Sequence, residues 1–500
     1  MSIVSITSKP NSRLAPPLDA RDVLIRLESQ GVGEAAARRR GHVDLWAMAE
    51  AQFREGSVDS PEPVAPPAKR RSSAVREHMK GIAFALPLAV SGLAMLFLNF
   101  SLWGGALPPD LSIAVAVGTV ASFVVSGGFV QALARRGIFY LGTNEPLACF
   151  ESTLDWLGMG ALALAITACA GLTMNWFFGW LTTQVALMAT AFLLGLGVFW
   201  LATGTLYMLE RNVEVLMAVT LGLAVVTILH RWLGVQVVLA QIAGVVTAAM
   251  ASLMLGAWLL SRPIGSGHNH MRSETFVRKV LSVGPYFLYG VLLYVFLFTD
   301  RIVAWTSEAG PVRVVFRGDY EAAVNVALFA FVLQVGWVRV AGTAYRALID
   351  HRLGACRATE TGPFNLAVKQ FYWQRLRLFA LVSLASTLAV YAGSLWFGIL
   401  KNSGIHQVAL WALAACPLLV WSLWNANLLF GWSRPWAVLT AFGIACLVNL
   451  FVGYGLSRLF GYHLSAAGYT LGAAVLSVLS TISTHRTLDR CDYYNFASGA

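Results

Sequence analysis

The sequence predicts an all-α polytopic membrane protein with about 12 transmembrane helices in two six-helix bundles, preceded by a cytoplasmic tail. Hydrophobic residues make up 57% of the chain and charged residues only 12%, whereas about 25% of residues are charged in a typical soluble domain. The apolar segments have roughly the twenty residues that a helix needs to cross a bilayer. They do not alternate apolar with polar residues, which excludes the strands of a membrane barrel.

The first 80 residues differ in composition from the rest and form the predicted tail. They contain 13 of the 36 Lys and Arg residues and 10 of the 25 Asp and Glu residues. Apolar residues within 23–27 and 45–53 predict two short amphipathic helices, and a Pro-rich linker leads to the basic cluster Lys69, Arg70 and Arg71. The tail is either a disordered leader or a docking element for a cytoplasmic partner.

Twelve apolar segments follow the tail. The predicted spans are 82–105, 111–133, 156–178, 181–207, 214–230, 235–261, 280–305, 323–348, 378–400, 406–430, 436–459 and 464–484. A cytoplasmic linker at 263–279 separates an N-terminal bundle (81–262) from a C-terminal bundle (280–485), and residues 486–500 form a cytoplasmic C-terminal tail. A division into six and six spans is typical of transporters built from two bundles.

Basic residues predict the orientation of these spans. Most Lys and Arg in the connecting segments, including Arg136, Arg272 and Arg357, fall on one side, and few, such as Arg313 and Lys401, fall on the other. The positive-inside rule then places both termini in the cytoplasm. Orientation and contact with anionic lipid explain the net charge of +11, so we do not expect a nucleic-acid partner.

Two further cytoplasmic features follow from this topology. Phe371, Tyr372 and Trp373 lie among basic residues in the connection 349–377, which predicts a helix lying in the membrane interface. Glu210 and Glu214 are expected at a cytoplasmic loop, where solvated carboxylates are the simpler interpretation.

The seventh span contains the clearest intramembrane charges. Asp300 and Arg301 lie near its outer end, with Trp305 at the interface. Ionisable side chains inside a span line a cavity or pair with each other because exposing them to lipid is unfavourable. These residues are therefore either part of a substrate path or a structural ion pair. Gly284 and Pro285 are predicted to loosen the start of this helix and to act in gating.

Three polar residues interrupt the eighth span: Asn325, Gln334 and Arg339. We expect them to line a cavity, although they do not share one narrow helix face. Asn425 and Asn427 in the tenth span and Asn449 in the eleventh are expected to form hydrogen bonds between helices.

No pattern indicates catalysis, a metal or a cofactor. His268 and His270 have no third ligand nearby in sequence, and the glycines at 265 and 267 lack the Lys of a phosphate-binding loop. The six cysteines include no CxxC pair. The chain is therefore predicted not to be an enzyme.

The seventh and eighth spans resemble the PelG-like family of exopolysaccharide exporters, in the multidrug/oligosaccharidyl-lipid/polysaccharide (MOP) flippase superfamily. The similar residues are Gly284-Pro285-Tyr286-Phe287, Tyr294, Asp300-Arg301, Trp305, Asp319-Tyr320-Glu321, Asn325 and Ala327-Leu328. The resemblance extends diffusely over 80–490, but the long Pro-linked leader departs from it. It implies two bundles around a central cationic cavity in a bacterial inner membrane. It also implies outward movement of a polysaccharide or lipid-linked glycan, with glycosyltransferase or synthase partners.

Two other functions stay open on the sequence. A membrane glycosyltransferase or polymerase would need a larger outer segment than residues 306–322. A small-molecule or drug antiporter of the same superfamily would need a carboxylate deep in a bundle, and the first six spans contain none near mid-membrane.

Overall fold

The computed structural model describes residues 19–29, 34–39, 41–56, 73–105, 107–143, 145–262, 276–307, 314–355, 361–400 and 403–497. It divides into two units, residues 1–73 with 353–360 and residues 74–352 with 361–500. Several residues named above lie outside the described residues. They are the basic cluster at 69–71, the His pair at 268 and 270, and the loop residues Arg272, Arg313, Arg357 and Lys401.

The tail contains three short helices: α1 (Ala20–Ser29), α2 (Glu34–Arg39) and α3 (Leu45–Gly56). The apolar residues that predicted two of them, such as Val23, Leu27 and Met48, pack together as a small core. Side chains begin two of these helices: Asp19 accepts a hydrogen bond from the Asp22 amide, and Asp44 accepts one from the Ala47 amide. Both carboxylates satisfy amides that lack a partner in the first helical turn.

Twelve helices in the described part of the chain are long and apolar enough to cross a membrane. The first half, which we call the N-half, contains α4 (Ala74–Leu98), α5 (Pro109–Gly142), α6 (Pro146–Phe178), α7 (Thr183–Met208), α8 (Asn212–Thr227) and α9 (Val237–Ser261). The C-half contains α10 (Phe276–Trp305), α11 (Gly318–Ala355), α12 (Thr361–Trp396), α13 (Ser403–Gly431), α14 (Pro435–Phe460) and α15 (Ser465–Leu488). A last short helix, α16 (Cys491–Ala497), follows. No strand occurs among the described residues, so the predicted fold class is confirmed.

Local sequence explains where several helices begin and end. Pro109, Pro146 and Pro435 occupy the first turn of α5, α6 and α14, where the missing amide hydrogen is not needed. Gly179 ends α6 in the left-handed conformation (φ 59°), which glycine adopts without a steric penalty. A π-helical turn (Ile228–Trp232) extends α8.

Several helices extend beyond the predicted spans. The first begins at Ala74 rather than near 82, and α5 continues to Gly142 rather than ending near 133. A helix of 34 residues is about 51 Å long, so its ends pass through the headgroups. Hydropathy detects only the apolar part, because nothing requires a helix to stop at the edge of the hydrocarbon.

The prediction of an interfacial helix at 371–373 was wrong. These residues belong to α12, which begins at Thr361 and continues without interruption to Trp396. Tyr372 is buried and stacks on Trp424 with ring centroids 5.2 Å apart. Gly284 and Pro285 lie inside α10, which continues through both residues, so their role in gating stays a prediction.

Hydrogen bonds between helices support the C-half. The Asn449 side chain donates to the Phe296 carbonyl (2.9 Å), and Asn425 accepts from the Tyr372 hydroxyl (2.9 Å). Asn425 also donates to Ser480 (3.1 Å). These contacts agree with the expected structural role of Asn425 and Asn449.

Candidate functional site

A cavity of about 1510 Å³ lies between the N-half and the C-half. Its walls come mainly from α4 and α5 on one side and α10, α11 and α13 on the other. We call its two ends the Ala74 end and the Leu98 end, after the first and last residues of α4. Polar or charged side chains line the cavity at both ends, and aromatic residues line much of the space between them.

The two halves meet through glycines on two pairs of helices. A side chain on Gly81 of α4 would place its Cβ 2.7 Å from the Cα of Gly336 on α11. On the other seam, a Cβ on Gly290 of α10 would overlap the Gly127 carbonyl of α5. Small residues permit this close approach of helix backbones within a membrane. The first and second helices of one half thus pack on the second and first of the other.

A buried polar cluster lies at the Leu98 end. The Tyr320 hydroxyl donates to Asp300 (2.6 Å), and Arg301 pairs with Glu321 (3.2 Å). The Trp305 indole N–H donates to the same Glu321 carboxylate (3.2 Å). Asp300 is only 2% exposed, and its second oxygen has no partner among the described residues. The cluster therefore leaves one buried carboxylate oxygen that could hold a proton.

The sequence left open a structural ion pair between Asp300 and Arg301, but the structure gives each residue a different partner. Arg301 uses Glu321, at the start of the next helix, as its ion-pair partner. Asp300 uses a tyrosine hydroxyl instead. Buried charges need such partners because desolvation is costly. The sequence pointed to Tyr320 and Glu321 only through the family resemblance. Their polar side chains follow Asp319 directly, and this local run of polar residues is the pattern that could have identified them.

An ion-pair network lies at the Ala74 end. Arg339 of α11 contacts Glu77 of α4 (3.0 Å) and Glu210, between α7 and α8 (3.3 Å). Lys80 also pairs with Glu77 (3.0 Å). Arg339 belongs to the C-half and both carboxylates to the N-half, so the network joins the halves. We call Glu77, Glu210 and Arg339 the ionic triad.

Glu210 does not have the solvated-loop role expected from the sequence. Its backbone is in the left-handed region (φ 59°), which is unfavourable for a residue with a side chain. Strained positions of this kind are retained where the surrounding structure requires them. Here the conformation accompanies a contact between the Glu210 carboxylate and Arg339.

The remaining candidate residues separate into two groups. Asn325 and Trp305 line the cavity, as do Asp300, Arg301 and Arg339. Gln334 does not: its amide donates to the Ser383 carbonyl (3.2 Å), Ser386 (3.1 Å) and Thr387 (2.9 Å) of α12. Its assignment to the substrate path is therefore corrected to a contact between helices. Gly284 and Pro285 also lie away from the cavity lining.

The cavity is less cationic than the family resemblance implies. Four basic side chains line it, namely Lys80, Arg301, Arg339 and Arg346, against the three acidic side chains of Glu210, Asp300 and Glu321. Two of the cations are paired with these carboxylates. No group of three or more His, Cys, Asp or Glu residues suitable for a metal occurs in the described part of the chain.

Sequence reasoning missed the part of the wall contributed by α13. Asn427, expected to bond a neighbouring helix, is exposed and lines the cavity, as do Trp424 and Trp432. An asparagine inside a span has the same local sequence pattern whether it bonds a neighbouring helix or lines a cavity. Only the packing of α13 distinguishes these two roles.

Comparison with solved structures places the fold in a known class. A MOP superfamily transporter from Pyrococcus furiosus, described by a reversed polarity of its binding pocket, has 13% identity and a TM-score of 0.58, with 84% of this chain and 97% of that chain covered. An outward-facing multidrug resistance MATE family transporter has 13% identity and a TM-score of 0.57 over the same shares. A MATE structure in the bent conformation has 14% identity and a TM-score of 0.56, covering 85% and 96%.

These similarities show that the chain has the MATE/MOP transporter fold. No protein-family model and no curated protein sequence matches it. At this level of identity the likeness concerns the fold alone, since one fold supports many substrates.

Proposed function

We propose that this protein is an alternating-access exporter that moves a polysaccharide or lipid-linked glycan outward across a bacterial inner membrane. The observation that carries the proposal is the cavity of about 1510 Å³ between two six-helix halves. Pockets for drug-sized molecules measure roughly 300–1,000 Å³. The larger space suits a substrate with several sugar units.

The chemistry of the lining supports a glycan. Aromatic rings such as Trp103 and Tyr294 line the cavity together with amides such as Asn99 and Asn325. Sugars present apolar ring faces and many hydroxyls, which aromatic rings and amides match without ionised groups. Four of the seven charged side chains in the lining are paired with each other, so the substrate need not neutralise them.

The geometry also supports a cycle of alternating access. In this conformation the ionic triad joins the halves at the Ala74 end. Opening that end requires these ion pairs to break while the halves rock about the glycine contacts of the α5–α10 seam. Each step rearranges noncovalent contacts, and no covalent reaction is proposed.

Sidedness and partners complete the proposal. With both termini in the cytoplasm, the Ala74 end faces the cytoplasm, where a glycosyltransferase or synthase would deliver the glycan. Reporters fused after Arg136, Arg272 and Arg357 should report the cytoplasm. Fusions near Glu308 and Asn402 should report the outside. A cytoplasmic signal at Glu308 would contradict this orientation, and with it the proposed outward direction of transport.

Reconstituted vesicles test the function directly. The full chain is placed in liposomes with a fluorescent lipid-linked oligosaccharide, and a membrane-impermeant quencher measures how much label crosses the bilayer. Asn325→Trp, which places a bulky ring in the cavity, should slow the movement. Leu388→Trp is the matched control because Leu388 is exposed on α12 (56%), outside the cavity. Movement no faster than in empty liposomes would reject the proposal.

One observation favours a second candidate, an antiporter for small molecules. Asp300 is a buried carboxylate with a free oxygen in the cavity wall, which suits coupling to a proton or cation. Uptake of a fluorescent organic cation into vesicles, driven by a pH gradient and lost in Asp300→Asn, would support this candidate. Uptake that is independent of the gradient would exclude the coupling.

A further inference from the structure

One part of the cavity wall carries aromatic and amide side chains and no carboxylate. It is formed by α11 and α13 in the C-half, and consists of Gly342, Tyr345, Trp424, Asn427, Gly431 and Trp432. We call it the aromatic wall. Arg346 follows Tyr345 and is exposed at the border of this wall.

The rings of the aromatic wall are held in fixed positions from behind. Trp424 stacks on Tyr372 of α12, with ring centroids 5.2 Å apart and an interplanar angle of 13°. The Trp432 indole N–H donates to the Tyr345 hydroxyl (2.9 Å). Side chains locked by packing and hydrogen bonds form a preorganised surface, which lowers the entropy that a ligand loses on binding.

The aromatic wall also offers a polar group to a ligand. Asn427 of α13 is exposed and lines the cavity. Its amide can both donate and accept hydrogen bonds. Trp424 and Trp432 are only 1% and 3% exposed, so they support the wall from behind. Tyr345 is partly exposed and contributes ring surface to the cavity.

Two glycines leave room for a ligand in front of these groups. A Cβ built on Gly342 or Gly431 meets no atom within 4 Å. This differs from Gly81 and Gly290, where a Cβ would meet the backbone of the other half. Gly342 and Gly431 therefore leave space in the cavity, and neither is needed for close packing of helices.

We propose that the aromatic wall is a binding site for one uncharged pyranose unit of the transported glycan. The apolar face of the sugar ring packs on Tyr345, and the sugar hydroxyls bond the Asn427 amide. Because the wall contains no ionised side chain, a charged sugar would lose hydration here without compensation. The inference rests on the proposed function and specifies its substrate class.

Calorimetry on the purified full chain tests the site, with a neutral glucose tetrasaccharide as the probe. Gly342→Leu fills the space in front of the wall and should raise the Kd at least tenfold. Gly393→Leu is the matched control because a Cβ at Gly393 on α12 also meets nothing within 4 Å, and Gly393 lies outside the cavity lining. Asn427→Leu keeps the approximate size of the side chain and removes its amide, and it should weaken binding several-fold.

Three outcomes would overturn the proposal. They are absence of tetrasaccharide binding to the unmodified chain, equal affinity in Gly342→Leu, and tighter binding of a uronic-acid tetrasaccharide that depends on Arg346. The vesicle assay separates this failure from failure of the proposed function. If the unmodified chain moves the glycan and Gly342→Leu binds the tetrasaccharide with undiminished affinity, only the aromatic wall is rejected. If Gly342→Leu loses affinity for the tetrasaccharide but the unmodified chain moves no glycan, only the transport function is rejected.

Discussion

Replacing Arg339 with Gln should shift the equilibrium between the two states of the transport cycle. The substitution removes the charge that joins Glu77 at 3.0 Å and Glu210 at 3.3 Å. Of its described ion-pair partners, Glu77 would keep Lys80, which belongs to its own half. The conformation joined at the Ala74 end should therefore lose stability relative to the opposite one.

Exposure sets the expected size of this effect. The side chain of Glu77 is 7% exposed, that of Arg339 23% and that of Glu210 30%. Surface ion pairs contribute about 0–1 kcal/mol, whereas breaking a buried pair costs about 3–5 kcal/mol. The intermediate burial of the triad suggests about 2 kcal/mol. That value corresponds to roughly a 30-fold change in the ratio of the two conformations.

Electron paramagnetic resonance measures this shift as a distance. Spin labels at Arg76 on α4 and Ala347 on α11, both exposed at the Ala74 end, report the separation of the halves. Arg339→Gln should add a population at longer distance. Arg346→Gln is the matched control, since Arg346 lines the same cavity and forms no ion pair with any described residue.

Two results would refute the reasoning. An unchanged distance distribution in Arg339→Gln would show that the triad does not hold the halves together. An equal change in Arg346→Gln would show that general cavity charge, rather than the ion pairs, sets the equilibrium. Combining Glu77→Gln with Arg339→Gln in a double-mutant cycle should give less than the sum of the single effects, because both remove the same contact.

Three further predictions concern other contacts of the helical body. Asp300→Asn should lower glycan movement per unit of membrane-inserted protein and leave the abundance of the protein normal. An unchanged ratio of glycan movement to inserted protein would show that Asp300 does not serve transport. Gly290→Ala should lower thermal stability by about 1–3 kcal/mol through overpacking against Gly127, whereas Gly393→Ala should leave it equal or higher, as thermal unfolding in detergent would show. The Lys369 ammonium, 2.6 Å from the Asp489 carboxylate, holds the pKa of Asp489 below its usual range; its contribution is therefore complete at neutral pH and is lost as pH falls below about 4. The protection factors for amide hydrogen exchange in α16, which follows Asp489, should fall there, and Lys369→Met should reduce that pH dependence.

Helix number and type were determined by the sequence alone. Twelve apolar segments implied twelve spanning helices, and the structure contains twelve suitable helices in the part of the chain that it describes. The reason is that hydropathy is a local property and that lipid leaves an isolated segment no alternative to a helix. The same property explains the errors at the ends. The 371–373 aromatics continue α12 because a helix can extend past the hydrocarbon without changing its backbone.

The partners of the polar residues were decided only by tertiary structure. The sequence singled out Asp300, Arg301, Gln334 and Arg339 as polar residues inside spans. It did not show that Gln334 bonds α12 while Arg339 contacts the other half. Arg339 and Glu77 are 262 positions apart in the chain. A pairing over that separation depends on how the two halves pack, and no local pattern of residue types encodes it.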